Sequence, residues 1–212
     1  MASRQMEVMA FFLLEEGMEY GTAWTTIANQ ALQLLGRPPV SDIASDKGYG
    51  TVAPILRNQI PISVRFILGM RNWRCIQKKV SLARLAEKPV DYAYRYAIPS
   101  DAVRLVSVMP GDGYSYERLD GYIDTNAESV IATYIPEPSS TSALPSYLQN
   151  VVACHIAIYI APLLNADKTL QASVASMYTA SLQSAWLNDI SDVNDKIFMG
   201  GFADDLARAR EV

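Results

Sequence analysis

The stretch that decides the fold is residues 91–135, DYAYRYAIPSDAVRLVSVMPGDGYSYERLDGYIDTNAESVIATYI. Tyr92, Tyr94 and Tyr96 alternate with Ala93, Arg95 and Ala97, the period of two expected of a strand with one buried face. Pro99 has no N–H to give to a ladder and stops it. Residues 103–109 are rich in β-branched side chains and predict a second strand. Gly111-Asp112-Gly113 reads as a hairpin turn, because both residue types tolerate positive φ, and residues 114–119 return as a third strand. Asp120-Gly121 makes another turn, residues 122–125 form a short strand and residues 129–135 close the set. The pattern predicts an antiparallel β-meander inserted between helical segments, an α+β fold.

Before this stretch, residues 22–35 place Trp24, Ile27, Ala28, Ala31, Leu34 and Leu35 on one helical stripe. Thr22 stands at the N-cap position and Gly36 at the C-terminal cap, with Pro38 and Pro39 beyond. Residues 41–49 read as a loop, and a second helix is expected over residues 52–71. Pro54 suits its first turn, whereas Pro61 should kink it at a cost of about 3 kcal/mol unless packing compensates. Residues 73–85 carry a basic segment into the sheet, and residues 1–20 read as a short N-terminal helix.

After the sheet, the polar PEPSSTSALP of residues 136–145 leads to Ser146, the expected cap of a third helix that Pro162 should end or bend. A fourth helix is expected over residues 167–188, with Leu170, Val174, Met177, Tyr178, Leu182, Ala185 and Trp186 as its apolar face. From Ile190 onward Asp, Asn and Gly breakers with weak periodicity predict a tail holding about one terminal turn of helix. The rival reading of that tail is a C-terminal helix packed on the chain's own helices.

Half of the 212 residues are hydrophobic and 19% are charged, the balance of a folded globule and not of a disordered tail. Net charge is −4, but unevenly spread: residues 57–88 hold eight basic residues and one acidic, a local +7. Residues 120–212 hold eleven acidic and four basic, a net −7. Such segregation suits a protein that stacks on itself or guides a polyanion. Cys75 and Cys154 give no disulfide framework and are expected as reduced thiols in a cytosolic setting. The run over residues 9–14 is too short for a secretory signal and meets Glu15 and Glu16 at once. The longest uncharged apolar run, residues 151–164, falls short of the ~20 residues a bilayer span needs and predicts a buried helix.

Little of this composition points to chemistry. His155 is the only histidine, and its neighbour Cys154 would project about 100° away on a helix, so the two do not meet as base and nucleophile. One histidine and two distant cysteines do not match zinc spacings. Asp189, Asp192 and Asp195 lack the calcium-loop pattern and read as a solvated helix end. Gly111-Asp112-Gly113 and Gly48-Tyr49-Gly50 are turns and not phosphate loops. No catalytic residue, metal or cofactor is expected. Arg71, Arg74, Lys78, Lys79 and Arg84 form a basic cluster that would touch DNA or a neighbouring subunit, the latter favoured because the whole chain is acidic. The row of Tyr92, Tyr94 and Tyr96 reads as core or interface in preference to a base-stacking platform.

A collinear series of residues carries a resemblance. Asn29-Gln-Ala-Leu32-Gln-Leu34-Leu35-Gly36-Arg-Pro38 ends the first helix, and Arg71-Asn72-Trp73-Arg74 ends the second. A basic strand with Leu82 follows, then Tyr94-x-Tyr96-x-Ile98-Pro99-x-Asp101-x-Val103-Arg104-Leu105-x-Ser107-Val108. Gly121-x-Ile123-x-Thr125, Ile131-x-x-Tyr134-Ile135 and Pro145-x-x-Leu148 complete the order. Over residues 22–188 the chain resembles the tail tubular protein A family, the head-to-tail adaptors of short-tailed bacteriophages. The first 20 residues, Pro61 and Pro162 depart from the pattern.

The resemblance implies a virion protein of the tail or neck, assembled in the bacterial host's cytoplasm. It would form a ring of about twelve identical subunits, closed by heterologous contacts. That ring would sit between the portal protein and the tail nozzle, a tail tubular protein B-like partner. Double-stranded DNA would pass through its lumen without sequence-specific binding, retained on packaging and released on ejection. It further implies an N-terminal extension (1–21), a helical hairpin (22–72), an inserted β domain (73–136), a C-terminal helical pair (146–189) and a docking tail (190–212). In that tail Ile197, Phe198, Met199, Phe202 and Leu206 would meet the portal. The alternatives are another neck or head-completion ring protein, or a DNA-binding accessory protein.

Overall fold

A computed structural model describes residues 21–44, 50 and 52–208, with side chains as far as residue 191. The helix expected over residues 1–20 and most of the loop at 45–51 lie outside the described residues. The fold is α+β. Four α-helices, α1 (Thr25–Leu34), α2 (Val52–Met70), α3 (Ser146–Ile160) and α4 (Lys168–Arg208), flank six strands. The strands are β1 (Lys78–Ser81), β2 (Tyr94–Ala97), β3 (Ala102–Pro110), β4 (Tyr116–Leu119), β5 (Tyr122–Thr125) and β6 (Val130–Pro136).

All four helices contribute to one hydrophobic core, with Ile27, Leu56, Ile60, Ile67, Ile156 and Val174 fully buried in it. α1 begins as a 3-10 turn at Thr22–Trp24, and Thr22 caps nothing: its hydroxyl donates to Asp42 Oδ1 at 3.1 Å. Its other end behaves as read. Gly36 takes φ +63°, and Arg37 N–H donates back to Leu32 O at 2.9 Å, the long bond of a glycine-terminated helix. α2 runs unbroken through Pro61. The hydrogen bond that proline removes is offset by the burial of Ile60, Val64, Ile67 and Leu68 around it. Ser146 makes no side-chain cap either; it is the first residue of α3, behind Pro145. α3 ends at Ile160, ahead of Pro162.

The largest departure from the sequence reading is α4. It continues as one helix of 41 residues, about 60 Å long, where a break near residue 188 was expected. Glycine and aspartate only penalise a helix, by up to ~1 kcal/mol each, whereas proline forbids the hydrogen-bond ladder. No proline follows Pro162, so Gly200-Gly201 and the aspartates do not stop it. Backbone at Ile197, Phe198, Met199, Phe202 and Leu206 is therefore helical; their side chains lie outside the described residues.

The strands sit close to where the pattern put them, but they are not one meander. β6 lies between β1 and β3, and β5 lies between β2 and β4, giving two antiparallel three-stranded sheets. Gly111-Asp112-Gly113 is not a hairpin: with Asp112 at φ +54° and Gly113 at φ +71° it carries the chain from the first sheet to the second. The genuine hairpin is Asp120-Gly121, φ +46° and +83°, which pairs Leu119 with Tyr122 across a two-residue turn. Leu82, Tyr96, Ile123, Val130 and Ala132 form a second, small core between the sheets. Two register shifts in β3 let it serve both cores: Val103 and Val106 pack toward the helices, Leu105 and Val108 toward the second sheet.

The joint between helices and sheets is tied by specific bonds. Trp73 is fully buried and donates its indole N–H to Ile67 O at 2.8 Å. From β3, the Arg104 guanidinium donates to Asn72 Oδ1 at 2.8 Å and to Gly69 O, supplying positive charge and donors at the carbonyl end of α2. Arg65 makes a bidentate pair with Glu137 at 2.7 and 2.9 Å.

Candidate functional site

The five residues of the basic cluster lie on two β segments and a helix end, and most of them are engaged. Arg71, just past α2, lies 5.8 Å from the Trp186 ring on α4. Lys78 on β1 stands 3.8 Å from Asp101, and Arg84 lies flat over the Tyr94 ring at 3.8 Å. Arg74 and Lys79 are exposed. Lys78 and Lys79 charge the edge strand β1, a position where lysine also discourages strand addition.

The tyrosine row divides. Tyr96 is buried and donates its hydroxyl to Ala127 O at 2.9 Å, Tyr94 is covered by Arg84, and Tyr92 precedes β2. Tyr96 thus belongs to the core between the sheets. Beside it Arg95 grips Asp124 through two 2.8 Å bonds and meets Glu87 at 2.9 Å, which raises the guanidinium further above its usual range.

Asp189 is not part of a solvated helix end. It is buried, and one of its oxygens accepts from Arg74 N–H at 2.8 Å and Cys75 N–H at 3.1 Å. α4 is thereby tied to the 3-10 turn Arg74–Ile76 that leads into β1. Burial, reinforced by the Asp189 charge, pushes the Cys75 thiol up to about 11, and burial also raises Cys154. Thiols held protonated at neutral pH are not nucleophiles.

His155 points into a seam between α2, α3 and α4. Its ring stacks on Phe66 at 4.7 Å and lies 4.9 Å from Tyr159 and 5.6 Å from Tyr178. Nδ1 is buried with no partner among the described residues, and burial lowers the imidazole to about 4, so it stays neutral. The rings around it are not all enclosed: Phe66 is 50% and Tyr159 53% exposed. Phe66 belongs to an exposed stripe on α2 with Ile62 and Met70, four residues apart. Beyond Met70 the apolar surface continues onto α4 through Tyr178, Trp186 and Ile190. Sequence reading assigned Trp186 to the core and passed over the α2 stripe, although its spacing of four is legible in the chain.

A second exposed apolar patch lies on the β4–β5 hairpin, where Leu119, Tyr122 and Tyr116 reach solvent. Two clefts of about 520 and 510 Å³ complete the surface. One lies among Pro38, Val40, Val52 and Leu163; the other lies at the joint, near Cys75, Lys78, Asp101 and Glu137. Among the described residues no group of three or more His, Cys, Asp or Glu side chains is placed to hold a metal ion, and no helix is long and apolar enough to cross a membrane. In comparisons with known proteins, no protein-family model and no curated protein matches the chain.

Proposed function

We propose that this chain is a structural virion protein, a head-to-tail adaptor of the tail tubular protein A type. Its four helices would form a bundle carrying the β strands as an insertion, with several copies closing a ring between portal and tail nozzle. DNA would cross the lumen without sequence-specific contact. The observation that carries this reading is the run of large apolar side chains left on the helical surface, from Ile62, Phe66 and Met70 to Trp186, Leu187 and Ile190. An exposed apolar surface of this extent marks a protein that assembles with others. The collinear residue series of the first helix, Arg71-Asn72-Trp73-Arg74 and the strands supports the same reading.

Cosedimentation with the portal protein of the same genome tests it. The chain is expected to move with the portal, and separate sedimentation at micromolar concentrations would overturn the proposal. A second reading, a DNA-binding accessory protein, draws on exposed Arg74 and Lys79. It requires tight binding of duplex DNA with an affinity falling steeply with salt. The adaptor reading expects no measurable binding by the free chain at physiological salt.

A further inference from the structure

Two apolar patches lie on different elements, and their electrostatic surroundings are opposite. The first is the α2 stripe of Ile62, Phe66 and Met70, each between 41 and 60% exposed. Residues 52–71 around it contain Arg57, Arg65 and Arg71 and no acidic residue. The second is the cross-strand pair Leu119 and Tyr122 at the end of the β4–β5 hairpin, 48 and 37% exposed. Glu117 shares the face of Leu119 by the strand period of two, and Asp120 occupies the turn between the pair. Arg118 does not shield these acids. It pairs with Ile123, whose side chain enters the core between the sheets, so Arg118 belongs to the opposite face. Arg95, near the Tyr122 ring, is neutralised by Asp124 and Glu87.

We infer that the occupant of the α2 stripe is the β4–β5 hairpin of a second copy of this chain. Leu119 and Tyr122 would pack against Ile62, Phe66 and Met70, with Glu117 and Asp120 of one copy facing the arginines of the other. Charge decides the pairing mode. Joining stripe to stripe sets arginines against arginines, and joining hairpin to hairpin sets acids against acids. Only the mixed contact is complementary. A contact of unlike patches is heterologous, so each copy keeps one free patch of each kind and the series extends until it closes. Both patches also hold side-chain types that dominate interface cores, aromatic rings and methionine, with arginine close by. This assignment rests on the ring reading above and adds which surfaces meet.

The test places the photo-reactive residue benzoylphenylalanine at Leu119 in the full chain, free at high micromolar concentration and mixed with the portal. Irradiation followed by peptide mass spectrometry is expected to join that position to residues 52–71 of another copy. Ile62→Asp, at a side chain exposed enough to leave folding intact, should cut the yield about tenfold, an unchanged melting curve serving as the control. Adducts between two hairpins would overturn the inference and leave the ring reading standing, as would a portal complex that forms without any adduct to α2. A chain that neither forms adducts nor binds the portal would overturn both.

Discussion

Trp73 carries the joint between helices and sheets. Its indole is fully buried and its N–H satisfies the Ile67 carbonyl near the end of α2. Trp73→Ala should destabilise the chain by about 3–5 kcal/mol, read from the urea midpoint at constant slope. Trp73→Phe should cost less, since the ring volume is partly kept while Ile67 O loses its donor. His155 gives the chain an acid sensitivity of its own. Folding lowers its pKa from 6.5 to about 4 through burial, so between those values only the unfolded chain takes up the proton. The His155 contribution to stability is therefore complete above pH ~6.5, declines as pH falls toward 4 and levels off below that, a loss of about 3 kcal/mol. His155→Phe, placed among Phe66, Tyr159 and Tyr178, should flatten this part of the profile in thermal melts between pH 7.5 and 4.5.

At the scale of elements, α4 divides functionally at Asp189. Leu182, Ala185 and Asp189 are buried against the rest of the chain, whereas Leu187, Ile190 and Ser191 face solvent. Removing residues 192–212 should therefore leave the melting temperature within about 2 °C, a small fraction of 1 kcal/mol. The same truncation should abolish portal attachment if the helix end docks there. Asp189→Ala should lower stability by roughly 1–3 kcal/mol, because two backbone N–H groups at Arg74 and Cys75 lose their acceptor. Equal stability of that variant would show that the cap is dispensable.

The same elements show what was legible in the chain. Alternation and turn residues located the strands, because period and φ preference are local properties. Which strands pair is not local. Gly111-Asp112-Gly113 and Asp120-Gly121 look equally like hairpin turns, yet only the second closes one, since β3 finds its partner in β6. Asp189 resembled its solvated neighbours because the groups it caps are more than a hundred residues away. The basic cluster was legible as charge, but its engagement with Trp186, Asp101 and Tyr94 depends on tertiary placement. The α2 stripe was legible and was absorbed into the expectation of a buried helix; only three-dimensional packing shows which side of α2 the neighbouring helices leave open.

For the whole molecule, opposite charge on two apolar patches and a 41-residue C-terminal helix fit a subunit that meets copies of itself sideways and a different partner through its end. The free chain, with a net charge of −4 and contacts that depend on neighbours already in place, should be monomeric or weakly associated at micromolar concentration. Stable closed rings of the free chain by mass photometry would contradict that. The central claim is position in the particle, and electron cryomicroscopy of the intact virion neck addresses it most directly. The account predicts a ring of about twelve copies with this α+β fold, lying between portal and nozzle around the DNA channel. Density at that position belonging to another polypeptide, with this chain absent from the particle, would contradict it.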